Sequence, residues 1–420
     1  MRPIGVMHRE IFAMVSRAAP APAFTEAEWR ELLAFADRTQ LSLHLRGTPG
    51  LPSWLAEEIE SRFAKNAERR RRLRAAYIEA AGALAADGIE FVLLKGFTHE
   101  TGFGVDGSAR VQYDLDLLTR PSGLARARTV FERLGYAPHG ARSLSEEHGR
   151  PLVRPSGWSW RGDYYDPEMP IPIELHSALW SAERDRIQPS GMGEFWSRRR
   201  LIEVNGLEIP AFCEVDRLAF AALHVLRHIL RHDARPAHVL ELARFLDARC
   251  GACGTDSPSV ARSVPEPAWE CAPHPLRFWD EWRNLHPPDL RALQCVAFRF
   301  AHEWFGCALP LAGLRPAPRS PVAIDEWFNA FAWSPVANLT VPNKDTVWLH
   351  LALVDGWQDR ARVFCHRMLP LRLPHEGFFD RLRYHAGALA PALASGVRWG
   401  WRRAAASTAS EISDWKRRSV

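Results

Sequence analysis

An α+β fold is predicted for this chain of 420 residues. Three features of the sequence predict it. Short apolar runs with two-residue alternation cluster between residues 89 and 209, helical three-four spacing precedes them, and helical spacing resumes after them. The expected organisation is an N-terminal helical region over 1–88, a core with a mixed sheet over 89–215, and a helical C-terminal region over 216–420.

From Glu57 to Ala86 the apolar residues Leu73, Ala76, Tyr77, Ala80, Ala83 and Leu84 recur on one helical face, and Asp87-Gly88 supplies the stop. Arg69 to Arg72 and Arg74 form a basic run on this helix. No aromatic residues are interleaved with it, which predicts a solvated face and not a nucleic-acid surface. Ile89 to Leu94 reads as a strand buried on both faces, ending at Lys95-Gly96. A loop with Gly102, Gly104 and Gly107 leads to a second strand, Val111 to Leu118. Pro121 to Leu134 carries helical apolar positions and stops at Gly135. Leu152-Val153, Trp158 to Trp160 and Ile171 to His176 read as further strands. Asn205-Gly206, at the centre of Leu201 to Ile209, suits both positive-φ positions of a type I′ hairpin turn. Fifteen of the 17 tryptophans follow residue 150, so the C-terminal half is expected to pack its helices through large aromatics.

Hydrophobic residues at 47% and charged residues at 25% exclude a mainly disordered or fibrous chain. No apolar run approaches the roughly 18 residues of a membrane span, and the start lacks a signal-peptide pattern. A cytoplasmic protein with no transmembrane segment is therefore expected. The net charge of +5 is too small to argue for a nucleic-acid partner by itself. All but four of the 54 basic residues are arginine, the exceptions being Lys65, Lys95, Lys344 and Lys416, so each lysine stands against a strong bias. The tail from Tyr384 to Arg403, with Trp399 and Trp401, is expected to dock onto the chain's own helices and not onto a membrane surface.

Seven scattered cysteines do not form a disulfide framework. Cys250-x2-Cys253 is followed after 17 residues by Cys271-x2-His274, the spacing of a zinc ribbon. The stretch between them is Ser/Pro-rich and reads as a loop, so unpaired thiols flanking a variable insertion are expected in place of a zinc site. His224, His228 and His232 lie four apart on one predicted helix. Neighbours could share an ion, but eight residues span about 12 Å, so lining a cleft or packing against tryptophan is the expected role.

The chemistry concentrates in the core. Asp114 and Asp116, at i and i+2 of a strand, project from one face while Leu115 and Leu117 enter the opposite layer. Two adjacent carboxylates repel, and a hard divalent cation such as Mg²⁺ would relieve them. In the later strand Glu174 and His176 share the face opposite Ile173 and Leu175, offering a third carboxylate. Lys95, beside flexible Gly96, could meet a phosphate as a compact point charge. The alternative is an acidic edge strand that merely faces water.

FVLLKG, then Arg110 four residues before DLDLL, then IELH, together resemble the uncharacterised bacterial nucleotidyltransferase family of the DNA polymerase β superfamily. The resemblance extends over DRLAFAALHVLRHILRH and VWLHLALVDGWQDR. It implies a polymerase β-type core flanked by helices, with Asp114, Asp116 and Glu174 as the catalytic, metal-holding carboxylates and Lys95, Gly96 and Arg110 near the triphosphate. It further implies Mg²⁺ (or Mn²⁺), an NTP co-substrate with ATP the expected donor, and transfer of a nucleotidyl group to an acceptor hydroxyl or phosphate. Glu174 is the suggested general base. The acceptor, whether small molecule, protein or RNA, is left open. The Lys-Gly turn is also similar to abortive-infection nucleotidyltransferase toxins, so a toxin-like or RNA-modifying enzyme is one alternative and a non-catalytic scaffold of the same fold is another.

Overall fold

A computed structural model describes residues 4–17, 19–103, 107–140, 149–250, 275–309, 321–341, 343–368, 393–394 and 396–397. Three helices come first: α1 (Ile4–Arg17), α2 (Glu26–Arg38) and α3 (Ser53–Ala86). A capping box starts α2, with Thr25 Oγ1 accepting from the Glu28 amide while the Glu28 carboxylate accepts from the Thr25 amide. α3 runs 34 residues and buries Leu73, Tyr77, Ala80 and Leu84, the face that its spacing predicts.

β1 (Phe91–Leu93) lies antiparallel to β2 (Leu115–Thr119), which is followed by α4 (Leu124–Arg133), β3 (Ala137–Pro138), β4 (Leu152–Val153) and β5 (Ile173–His176). The strand order is β1-β2-β5-β4-β3, and the β2–β5 pair is parallel while the others are antiparallel, so the sheet is mixed. Two-residue alternation sorts its faces. Phe91, Leu93, Leu115, Leu117, Ile173 and Leu175 pack with α3 and α4 in one core, whereas Val92, Leu94 and Leu118 belong to a larger core shared with the C-terminal helices. Asp116 of β2 and Glu174 and His176 of β5 have the parity of Leu118. They therefore point toward those helices.

Next come α5 (Ala182–Asp185) and a hairpin of β6 (Arg200–Val204) and β7 (Leu207–Ala211), whose turn has Asn205 at φ 50° and Gly206 at φ 73° as its sequence predicts. The chain then continues in helices: α6 (Glu214–Leu230), α7 (Pro236–Cys250), α8 (Pro275–Leu285), α9 (Pro288–Phe305), α10 (Pro321–Phe331), α11 (Ser334–Ala337), α12 (Thr346–Leu353) and α13 (Trp357–Met368). Trp282, Trp304 and Trp327 are buried among them, and Phe12 of α1 packs its ring against Trp304, so the first and last thirds of the chain share one core. No helix among the described residues is long and apolar enough to cross a membrane.

Three local expectations are corrected. The second strand begins at Leu115 and not at Val111, because Arg69 takes up the backbone carbonyls of Gln112 and Tyr113 and removes them from any ladder. Arg69 is accordingly buried, whereas Arg71 of the same basic run is solvated. Trp158 to Trp160 is a loop and not a strand: Asp166 accepts from Trp158 Nε1, Arg161 Nε and the Glu168 amide and folds it back. Gly104, Cys253, Cys271, His274 and nearly all of the tail lie outside the described residues.

Candidate metal centre

Asp116 of β2 and Glu174 of β5 are direct partners in the parallel register. Neighbouring strands stand about 4.8 Å apart, so two side chains paired in this way on one face are forced together. His176 follows on the same face. Its Nε2 lies 3.0 Å from Asp116 Oδ1 and 3.7 Å from Glu174 Oε2. Among the described residues, Asp116, Glu174 and His176 alone offer three ligating atoms mutually within 4.8 Å.

Lys95, in the residues that follow β1, completes the cluster. Its Nζ is 3.1 Å from Asp116 Oδ2 and 3.4 Å from the Asp114 carboxylate, so the two aspartates share one ammonium. Asp114 stands just before β2 and joins the trio through this lysine. Gly96 has φ 74°, and a Cβ there would collide with the Gln112 side-chain amide. Gln112 in turn donates to the Asp114 carbonyl at 2.8 Å, so glycine allows the side chain that anchors Asp114 to pass.

The electrostatics follow from crowding. Burial, then the charges of Asp116 and Asp114, push the Glu174 carboxyl up to about 8. Burial opposes the charge on Asp116, but the Lys95 ammonium and the His176 hydrogen bond prevail and hold it well below the usual carboxylate range. Burial likewise opposes the charge on Lys95, yet the carboxylates of Asp114, Asp116 and Glu174 keep its pKa above the ordinary value. The trio thus has an oxygen-rich donor set with a surplus of negative charge, which fits a divalent cation.

Arg110 is not gathered into this cluster. It is buried with its Nε 2.9 Å from Glu241 Oε1 of α7, and His99 Nδ1 lies 2.7 Å from the other oxygen of the same carboxylate. Burial keeps His99 neutral, whereas Glu241 is held well below its usual range because Arg110 and His99 outweigh its own burial. Folding depresses the Glu241 pKa, so its contribution to stability is complete above the ordinary carboxylate range and is lost as pH falls through and below that range. Melting temperatures measured from about pH 7 to about pH 3 should therefore fall more steeply for the wild type than for Glu241→Gln. Parallel curves would show that the carboxylate carries no charge-linked stability.

Sequence reasoning missed Arg235 and His238. Burial opposes the charge on Arg235, but Asp233 and then Asp114 and Glu174 raise its pKa, while burial, chiefly, with the charge of Lys95 lowers that of His238. Arg235 precedes Pro236, a helix-start signal, but nothing in the sequence ties that start to β2. Of the three histidines four apart, His224 and His228 meet each other, whereas His232 turns away to Thr346 Oγ1.

A family described as uncharacterised nucleotidyltransferases matches residues 25–273. The match includes Lys95, Asp114, Asp116, Glu174, His176 and Arg235. No curated protein and no solved structure matches the chain. Since the match covers more than half of the residues and every side chain of the cluster just described, the chain belongs to the uncharacterised nucleotidyltransferase family.

Proposed function

We propose that this protein is a nucleotidyltransferase that uses Mg²⁺ or Mn²⁺ and moves a nucleotidyl group from an NTP, with ATP the expected donor, to an acceptor hydroxyl or phosphate. The observation that carries the reading is the cross-strand pair of Asp116 and Glu174, with His176, Lys95 and Asp114 around it, in a chain of this family. Asp116 and Glu174, with Asp114 beside them, would hold the cation. It would supply charge stabilisation to the phosphoryl oxygens. The acceptor oxygen attacks the α-phosphorus, its bond forms as the bond to the pyrophosphate oxygen breaks, and pyrophosphate leaves. Glu174 suits the base that takes the acceptor's proton, because its proton affinity lies close to neutrality.

Purified protein incubated with each α-³²P-labelled NTP, Mg²⁺ or Mn²⁺ and total cell extract should move label into an acceptor. Whether label enters RNA, protein or a small molecule distinguishes the acceptor classes. No incorporation with any NTP would favour a non-catalytic scaffold.

Lys95 offers a further check. While no nucleotide is bound its ammonium occupies the cation's side of the aspartates, and a phosphate would compete for it. Lys95→Met should leave Mn²⁺ affinity in the absence of nucleotide equal or tighter. It should weaken binding of a non-hydrolysable NTP by about 10–100-fold, the loss of one charged contact. Calorimetric titration measures both, and unchanged NTP affinity would confine Lys95 to neutralising the aspartates.

A further inference from the structure

A second set of ligating side chains lies on α6 and α7. His224 and His228, one turn apart on α6, bring their Nε2 atoms to 3.1 Å. Two imidazoles on one four-coordinate ion, each at about 2.0–2.1 Å, have nitrogens about 3.3–3.4 Å apart. A third ring, His238 on the first turn of α7, has its centroid 5.0 Å from that of His224 and 6.2 Å from that of His228. Its Nδ1 is buried without a hydrogen-bond partner.

Asp233, in the turn between the helices, fixes the orientation of His228. Its Oδ2 lies 2.9 Å from His228 Nδ1. A carboxylate only accepts, so Nδ1 carries the proton and the Nε2 lone pair faces His224. A carboxylate behind the far nitrogen is the arrangement that orients metal-bound histidines. Burial, chiefly, keeps His224, His228 and His238 neutral, with lone pairs available.

We propose that His224, His228 and His238 form a binding site for a transition-metal ion of the Zn²⁺/Co²⁺ class, separate from the carboxylate centre and oriented by Asp233. Imidazole nitrogen suits these ions, whereas Mg²⁺ prefers oxygen. The three nitrogens do not yet converge, so binding draws in the His238 ring by side-chain rotation. The neighbouring cations Arg227, Arg235 and Lys95 are offset by Asp233, which accepts from Arg235, and by Glu241.

The test is titration of the full-length, chelator-stripped protein with Co²⁺, read by visible absorption and equilibrium dialysis. One equivalent should bind with four-coordinate d–d bands and without sulfur-to-cobalt charge transfer, which marks it as distinct from any cysteine site. Glu174→Gln should retain this equivalent. His228→Gln should abolish it, and Asp233→Asn, a change at a side chain 56% exposed and thus tolerable for the fold, should weaken it about 10–100-fold. Absence of the equivalent in the wild type, its loss in Glu174→Gln, or undiminished affinity in both His228→Gln and Asp233→Asn overturns the proposal. The His224–His228 contact is then a plain imidazole hydrogen bond.

Discussion

Asp116→Asn is expected to lower nucleotidyl transfer by about 10³-fold or more, since a metal-assisted step that loses several kcal/mol of charge stabilisation slows by that order. Its effect on stability is the less obvious part. Repulsion within the D-x-D pair taken alone suggests that removing one carboxylate relieves strain in the metal-free protein. The cluster reverses this for Asp116, whose buried carboxylate is the counter-charge of Lys95 and a partner of His176. Asp116→Asn should therefore lower stability by about 1–3 kcal/mol, the cost of breaking a buried charged contact. The strain resides in Glu174, whose carboxyl is pushed up to about 8 by burial and by the charges of Asp116 and Asp114. Glu174→Gln should consequently melt close to wild type without metal and still lose transfer to a similar extent. Thermal denaturation in chelator, run beside the labelling assay, separates the two variants. Near-wild-type turnover in both would remove these residues from the chemistry.

Arg69→Ala is expected to destabilise the fold by about 4 kcal/mol or more, the largest effect on stability anticipated here. The guanidinium donates to the Gln112 carbonyl at 3.0 Å, the Tyr113 carbonyl at 2.9 Å and the Met169 carbonyl at 2.9 Å, so it ties α3 to the lead-ins of both β2 and β5. Truncation would leave the buried Gln112 contact and the half-buried Tyr113 and Met169 carbonyls without this donor, each at up to about 1–3 kcal/mol. Burial pulls the pKa of Arg69 down to about 10, yet it remains a cation at neutral pH. Arg69→Lys should recover only part of the loss, because an ammonium on a single stem lacks the planar fork that reaches separate carbonyls. Denaturant midpoints for the two variants test this, and a loss below about 1 kcal/mol in Arg69→Ala would refute it. Since the same bonds hold the chain beside Asp114, Mn²⁺ affinity should weaken in Arg69→Lys even where that variant is fully folded.

Much of the centre was legible from local pattern. Strand alternation assigns Leu115 and Leu117, then Ile173 and Leu175, to the apolar layer, and so obliges Asp116, Glu174 and His176 to leave by the other face. The Asn205-Gly206 turn and the stop at Asp87-Gly88 are equally local, since each depends on the φ values that those residues tolerate. Family membership rests on the match of the family over residues 25–273.

What periodicity could not supply is the identity of partners distant in the chain. Arg69 looked like its solvated neighbours, because a basic run carries no mark of which guanidinium lies under the sheet; three carbonyls decided that. Arg110 looked free to meet a phosphate until Glu241, 131 residues away, took its charge. The charges of Asp114 and Glu174 reach Arg235, and that of Lys95 reaches His238, only because α6 and α7 pack in the core shared with Val92, Leu94 and Leu118. The sequence alone determined which face each strand residue occupies, since alternation is a property of the backbone. Tertiary packing alone decided which charges meet across that face, since such contacts depend on how separate helices settle against one core.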